Sequence, residues 1–135
     1  MHVNYLAVLV SAVISMFIGF LWYGPLFGKQ WMKLSNVTNK QMKEMKKKGV
    51  TKNYFWAFIG TFVMAYVLAL LIGYLGYNTF GQGAWLGFVV WLGFFVTMKL
   101  GMVLWEGKRF NLYLLHVFHD LVVLLIVGGI LATWA

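Results

Sequence analysis

The chain has 135 residues, 62% of them apolar and only 10% charged, with a mean hydropathy of +0.81. Soluble domains run at roughly 45–50% apolar, so there is too little polar surface here for a water-soluble globule and too much hydrophobicity for disorder. The net charge of +8 is concentrated in one lysine-rich segment with no nucleic-acid recognition motif, and the absence of cysteine removes disulfides, thiolate nucleophiles and thiolate metal sites.

Four apolar stretches, at about 4–23, 54–74, 84–105 and 111–134, each approach the ~20 residues that a helix needs to cross the hydrocarbon core. The sequence therefore predicts an all-α integral membrane protein: one domain, 1–135, forming a bundle of four transmembrane helices with a basic loop at 27–53. The first stretch reads as a retained span, because no Lys or Arg precedes it, its apolar run exceeds the ~7–15 residues of a signal core, and no small-residue cleavage site follows. Pro25 is expected to stop it, since proline lacks the backbone donor and restricts the residue before it.

In the basic loop, Thr38 and Gln41 have the spacing of a capping box, Val37 and Met42 that of a hydrophobic staple, and Gly49 that of a C-terminal stop. A short helix from Asn39 to Lys48 follows. Met42 and Met45 share one face and lysines surround the rest, which suits an amphipathic helix on an anionic leaflet, where each lysine is worth about 1 kcal/mol. The alternative is a solvated loop with no specific ligand.

Eight lysines lie in the first loop, no Lys or Arg lies in Gly76 to Gly83, and two basic residues lie in Glu106 to Phe110. The positive-inside rule then places loops 27–53 and 106–110 in the cytoplasm and both termini outside. Trp22, Trp31, Trp56, Trp85, Trp105 and Trp134 fall near span ends, where indole rings prefer the headgroup level.

Helices associate in lipid through small residues that let backbones approach. Such rows recur at spacing four: Ala7, Ser11, Ser15 and Gly19 on the first span, Ala57, Thr61, Ala65, Ala69 and Gly73 on the second, Gly93, Thr97 and Gly101 on the third. These rows predict tight contact among the first three spans. The hydroxyls of Ser11, Ser15 and Thr61 can bond to carbonyls of their own helices.

Ionisable groups inside spans cost roughly 2.5–3.5 kcal/mol each at a helix centre and so need a reason. Lys99 and Glu106 share one face of the third span; His116, His119 and Asp120 share one face of the fourth. On an α-helical wheel Lys99 and Glu106 point away from Gly93, Thr97 and Gly101. Lys99 can snorkel along its stem or reach across the hairpin to Asp120. Glu106 sits at the surface with Lys108 and Arg109 as partners. Asp120 is short and near mid-depth, so it must be protonated, paired or wet. Two histidines on one helical face cannot supply both axial positions of a haem, and the His116 and Asp120 spacing alone is a weak metal signal, so neither a metal nor a cofactor is expected.

The run Asn4-Tyr5-Leu6-Ala7, followed by Gly19-Phe20-Leu21-Trp22-Tyr23-Gly24-Pro25-Leu26-Phe27-Gly28-Lys29-Gln30-Trp31-Met32, resembles the opening of an uncharacterised bacterial membrane family, domain of unknown function 1761. The likeness extends through Leu86-Gly87-Phe88, Glu106-Gly107 and Gly128-Gly129-Ile130-Leu131-Ala132. It implies a four-helix protein of the bacterial inner membrane and carries over Asn4, Trp22, Tyr23, Pro25, Lys29, Trp31 and Glu106 without roles. Around Leu115 to Asp120 the chain departs from that pattern, which leads to Asn and an aromatic in place of His116 and His119 or Asp120.

Function reads as an oligomeric proton- or cation-conducting channel or transporter, with Asp120, His116, His119, Lys99 and Glu106 as path candidates. The other class is a non-transporting scaffold or lipid-binding accessory subunit. No nucleophile elbow, phosphate loop or zinc motif is present, so the chain reads as no enzyme. Membrane lipids and a second copy in a homodimer are the expected partners, and nucleic acid is not.

Overall fold

Without water, a backbone must satisfy its own N–H and C=O groups, and in a single short chain helices do this segment by segment. The computed structural model describes residues 3–35, 38–47 and 51–134, and among these it contains helices and no strand. Helix α1 is Tyr5–Leu21 and runs on through a π-helical turn, Trp22–Leu26. Two short helices follow, α2 (Gly28–Ser35) and α3 (Asn39–Lys47), and then α4 (Thr51–Leu75). Helix α5 (Phe80–Leu104) comprises Phe80–Val90, a π turn Trp91–Val96, and the short pieces Thr97–Lys99 and Gly101–Leu104. Helix α6 is Phe110–Thr133. Tyr5–Leu26, α4, α5 and α6 are each 22 to 25 residues, long and apolar enough to cross a membrane.

Polar side chains set the helix ends. Asn4 Oδ1 accepts from the Ala7 N–H at 3.1 Å, capping α1, while its Nδ2 donates to the Trp134 carbonyl at 2.9 Å and ties the start of α1 to the end of α6. Thr79 and Gln82 form a reciprocal capping box at 3.2 Å. Helix α5 therefore begins at Phe80 instead of 84, and Gly83 lies inside a helix instead of in the expected 76–83 turn. Gly76, at φ +69, supplies the left-handed residue that ends α4. The Thr38 and Gln41 box that caps α3 is formed, at 2.9 and 3.1 Å. Val37, Lys48 and Gly49 lie outside the described residues, as do the side chains of Asn39, Met42, Met45 and Lys46.

Pro25 widens the first span before it ends. Having no N–H to give, it sits inside the π turn, and the chain recovers by bonding the Phe27 N–H to the Trp22 carbonyl five residues back, at 2.9 Å. The span thus closes at Leu26, and Gly28 opens the unanticipated α2 at once.

The last span, α6, is the centre of the bundle. It packs against α5, α1 and α4; α1 also packs on α4, whereas α4 and α5 share no packed interface. The expected contact of the third span with the first two is therefore absent. The α1 row is at the interface as read from sequence, with Ala7, Ser11 and Ser15 buried and Gly19 half-buried against His119. On α4 only Ala65 of its row is buried and Ala69 and Thr61 are half-buried, while Ala57 and Gly73 are exposed. On α5 the row fails: Gly93 and Thr97 are exposed, and a Cβ on Gly93 would meet nothing within 4 Å.

The close approach instead uses Gly83 and Gly87 of α5 against Gly128 of α6. A Cβ at Gly83 would run into the Gly128 carbonyl, one at Gly87 into the Leu124 carbonyl, and one at Gly128 into the Gly83 carbonyl. Three glycines let two backbones touch. At the level of this contact Val8, Ala65, Leu68, Ile72, Val127 and Leu131 form a buried apolar core at the end of the bundle where the Asn4 to Trp134 bond lies.

Gly87→Val should therefore lower stability by about 1–3 kcal/mol through overpacking, whereas Gly93→Ala should leave it unchanged or slightly higher. Unfolding of the two variants in bilayers checks this, and equal loss from both would contradict the packing described.

Candidate functional site

Spacings of three and four place His116, His119 and Asp120 on one face of α6, midway along the span. The partner face of α5 is set by its π turn. A π turn takes in one more residue per turn than an α turn, so everything after Val96 is rotated relative to an ideal α-helical wheel by roughly 100°. That rotation carries Lys99 inward and Thr97 outward, which corrects the wheel on which Lys99 faced away from the buried side. Trp91 and Tyr113 hold the turn in place: the Trp91 indole donates to the Val117 carbonyl at 2.6 Å, and the Tyr113 hydroxyl to the Val96 carbonyl at 2.7 Å.

Lys99 does not snorkel to the surface. Its Nζ lies 2.5 Å from Asp120 Oδ2, and His119 Nδ1 lies 3.2 Å from Oδ1 of the same carboxylate, so both oxygens of Asp120 are engaged. The bond to an ionised acceptor assigns the His119 proton to Nδ1. His119 Nε2 is buried without a partner, beside Gly19. The Asp120 side chain is 10% exposed and that of Lys99 37%.

A second cluster stands next to the first. Tyr23 Oη and His116 Nδ1 are in hydrogen-bond contact at 2.5 Å, and the Tyr23 ring lies 5.1 Å from the His119 ring. The Trp22 indole donates to the Leu115 carbonyl at 3.1 Å. Trp22 is thus an internal fastener between α1 and α6, not the headgroup anchor expected of it. Trp31, also expected at the headgroups, packs edge-on to Tyr23 at 6.1 Å and walls a cavity. Trp56, Trp85 and Trp105 are exposed at span ends, as an interfacial ring requires.

The cavity is about 750 Å³. His119, Asp120 and Ser15 give it a polar side; Met16, Phe20, Met64, Phe95 and Leu124 make most of the rest apolar, and Tyr23, Trp31 and Tyr54 frame the end near the basic loop. It is walled by the first span, α4 and α6, with Trp31 from α2 and Phe95 from α5. Ser15 and Thr61 spend their hydroxyls on Ser11 and Ala57 carbonyls of their own helices, both at 2.8 Å. Glu106 is exposed and forms no ion pair with Lys108 or Arg109 among the described residues; Lys29 is exposed too. Neither joins the cluster. Among the described residues no group of three His, Cys, Asp or Glu side chains is placed to hold a metal.

A family model described as "Protein of unknown function (DUF1761)" matches residues 6–132. The chain belongs to this family. No curated protein and no solved structure matches it. In this DUF1761 protein an ion pair and two histidines lie together at mid-span, and Asp120 and His119 of that group line the cavity.

Trp91 and Tyr113, which aim Lys99, were not singled out by sequence reasoning. For Trp91 the signal was a polar-tipped aromatic away from the span ends, where its N–H must find a partner, whereas Tyr113 lies near the start of α6 and carried no such signal. Lys99→Met should destabilise this DUF1761 protein by about 3 kcal/mol, the low end for breaking a buried pair because Lys99 is partly exposed. Lys99→Met combined with Asp120→Leu should recover most of that loss in bilayer unfolding. A silent Lys99→Met would contradict a bonded pair.

Proposed function

We propose that the protein is a proton-coupled membrane transporter, and that Asp120 is its proton-binding group. The observation that carries this reading is the Lys99–Asp120–His119 cluster at mid-span, whose Asp120 and His119 line a cavity. A charge held in the hydrocarbon layer is costly and marks an ion or substrate path. The cavity's aromatic end lies toward the basic loop, and a buried apolar core fills the opposite end. A site reached from one side and sealed from the other suits a carrier better than an open pore.

The charged and titratable groups facing Asp120 are Lys99 from α5, Tyr23 from the end of the first span, His116 and His119 from α6, and Tyr54 on the α4 wall of the cavity. His116 and Tyr23 stand between the aromatic end and Asp120 as relay partners, since imidazole exchanges protons near neutral pH. When Asp120 takes a proton the pair loses its attraction, and Lys99 is released to a new acceptor. The positive-inside bias puts the basic loop and the cavity's aromatic end in the cytoplasm and both termini outside. Helix α5, covered on its α6 side alone, is the surface on which a homodimer would form. No enzymatic role is proposed.

The mainly apolar wall of the cavity favours a second reading, a lipid-binding accessory subunit without transport. Flux separates the two. Purified protein in liposomes, with a pH gradient and a potential imposed, should show proton flux that changes with pH, and Asp120→Asn should cut it at least tenfold in protein whose helical fold is verified by circular dichroism at the temperature of the flux measurement. Equal flux from wild type and Asp120→Asn would overturn the transport reading.

A further inference from the structure

At mid-span the protein already holds one ammonium, and the way it does so is informative. The Nζ of Lys99 sits on Asp120 Oδ2 at 2.5 Å and over the face of the Phe95 ring, 5.9 Å from its centroid. An aromatic face attracts a cation through its quadrupole, so the carboxylate and the ring together make a cation-binding pair. Asp120 and Phe95 also line the cavity of about 750 Å³, whereas Lys99 does not. The same two groups are therefore open to an occupant of the cavity. A carboxylate offers about four lone-pair sites, of which Lys99 and His119 take one each.

The rest of the wall selects the kind of cation. Two ring pairs stand at the framed end, Phe20 with Tyr54 at 5.2 Å and Tyr23 with Trp31 at 6.1 Å between centroids. Tyr23 continues them to the His119 ring at 5.1 Å, beside Asp120. Asp120 is the acidic group of the wall, and among the described residues no Lys or Arg lines it. A hard inorganic cation needs about six oxygen ligands, and this wall sets one carboxylate among mainly apolar side chains. An organic ammonium needs only the carboxylate and the aromatic faces, while its apolar body leaves water for contact with Met16, Met64 and Leu124. The volume lies within the roughly 300–1,000 Å³ of small-molecule sites.

We infer that the cavity binds an apolar organic ammonium ion, its head between the Asp120 carboxylate and the aromatic faces and its body along the apolar wall. Such a cation is the substrate class of the proposed carrier, exchanged for the proton on Asp120. Its role in transport rests on that reading; its binding does not.

The test uses full-length protein in phosphatidylcholine nanodiscs, titrated with decyltrimethylammonium, decyl sulfate and decanol, with uptake by empty nanodiscs subtracted. The three probes share a chain and differ in the charge of the head. Decyltrimethylammonium should bind saturably, and the other two should bind at least tenfold more weakly. Asp120→Asn should weaken binding of the cation at least tenfold. Because that variant leaves Lys99 uncompensated, the pair Lys99→Gln with Asp120→Asn, which keeps the net charge of the wild type, is measured alongside. With its helical fold verified by circular dichroism, it too should lose binding at least tenfold. Wild-type affinity in the folded neutral pair, or equal binding of decyl sulfate or decanol to the wild type, would overturn the inference. Saturable cation binding without proton flux would uphold the site and remove the transport reading, and flux without cation binding would do the reverse.

Discussion

One ion pair in a layer that does not solvate ions constrains the rest of this molecule. Lys99 and Asp120 sit on different helices, so their contact requires α5 and α6 to lie close and in one rotational setting. The glycines at 83, 87 and 128 provide the closeness, and the π turn at Trp91–Val96 provides the setting. Their attraction is strong because little water screens it, yet bringing both ions out of water costs several kcal/mol each, so the pair yields little net stability. Replacing it with well-packed apolar groups would hold the helices as well. Its presence is thus poorly explained by folding stability alone.

The same constraint explains why α6 is central. A helix that carries the sole aspartate of the chain and two histidines cannot turn that face to lipid. It is enclosed by α1, α4 and α5, and each neighbour contributes something to the polar face: α1 its π turn with Trp22 and Tyr23, α5 its Lys99, α4 the far wall of the cavity. Both π turns fall at this level, one forced by Pro25 and the other bracketed by the bonds of Trp91 and Tyr113. Each re-aims an aromatic or charged side chain toward Asp120, a use to which π turns are often put.

Much of this was legible in the residues. Span number follows from apolar length, the caps at Thr38 and Gln41 from spacing, and the α1 interface from its small residues, because all three depend on near neighbours in the chain. Asp120 stood out because a short carboxylate at depth has few ways to be tolerated. What stayed hidden was rotation. Rows such as Gly93, Thr97 and Gly101 were projected on an α-helical wheel, and nothing in Trp91 to Val96 announces a π turn, since no proline marks it. Once the wheel turned, Thr97 went outward and a lysine went inside. Gly83 was hidden for a different reason: read as part of a turn, it could not be counted with Gly87 as a packing pair until the Thr79 and Gln82 cap put the helix start at Phe80.

Because Asp120 is the only aspartate in the sequence, a single label reports on it. Protein prepared with 13C at the aspartate carboxyl and 15N at lysine Nζ, reconstituted in bilayers, can be measured by dipolar recoupling in solid-state NMR. A bonded pair gives strong dephasing of the Asp120 carboxyl signal at neutral pH, and that dephasing disappears in Lys99→Gln. A carboxyl signal that no lysine nitrogen dephases would contradict the ion pair and, with it, the site built around it.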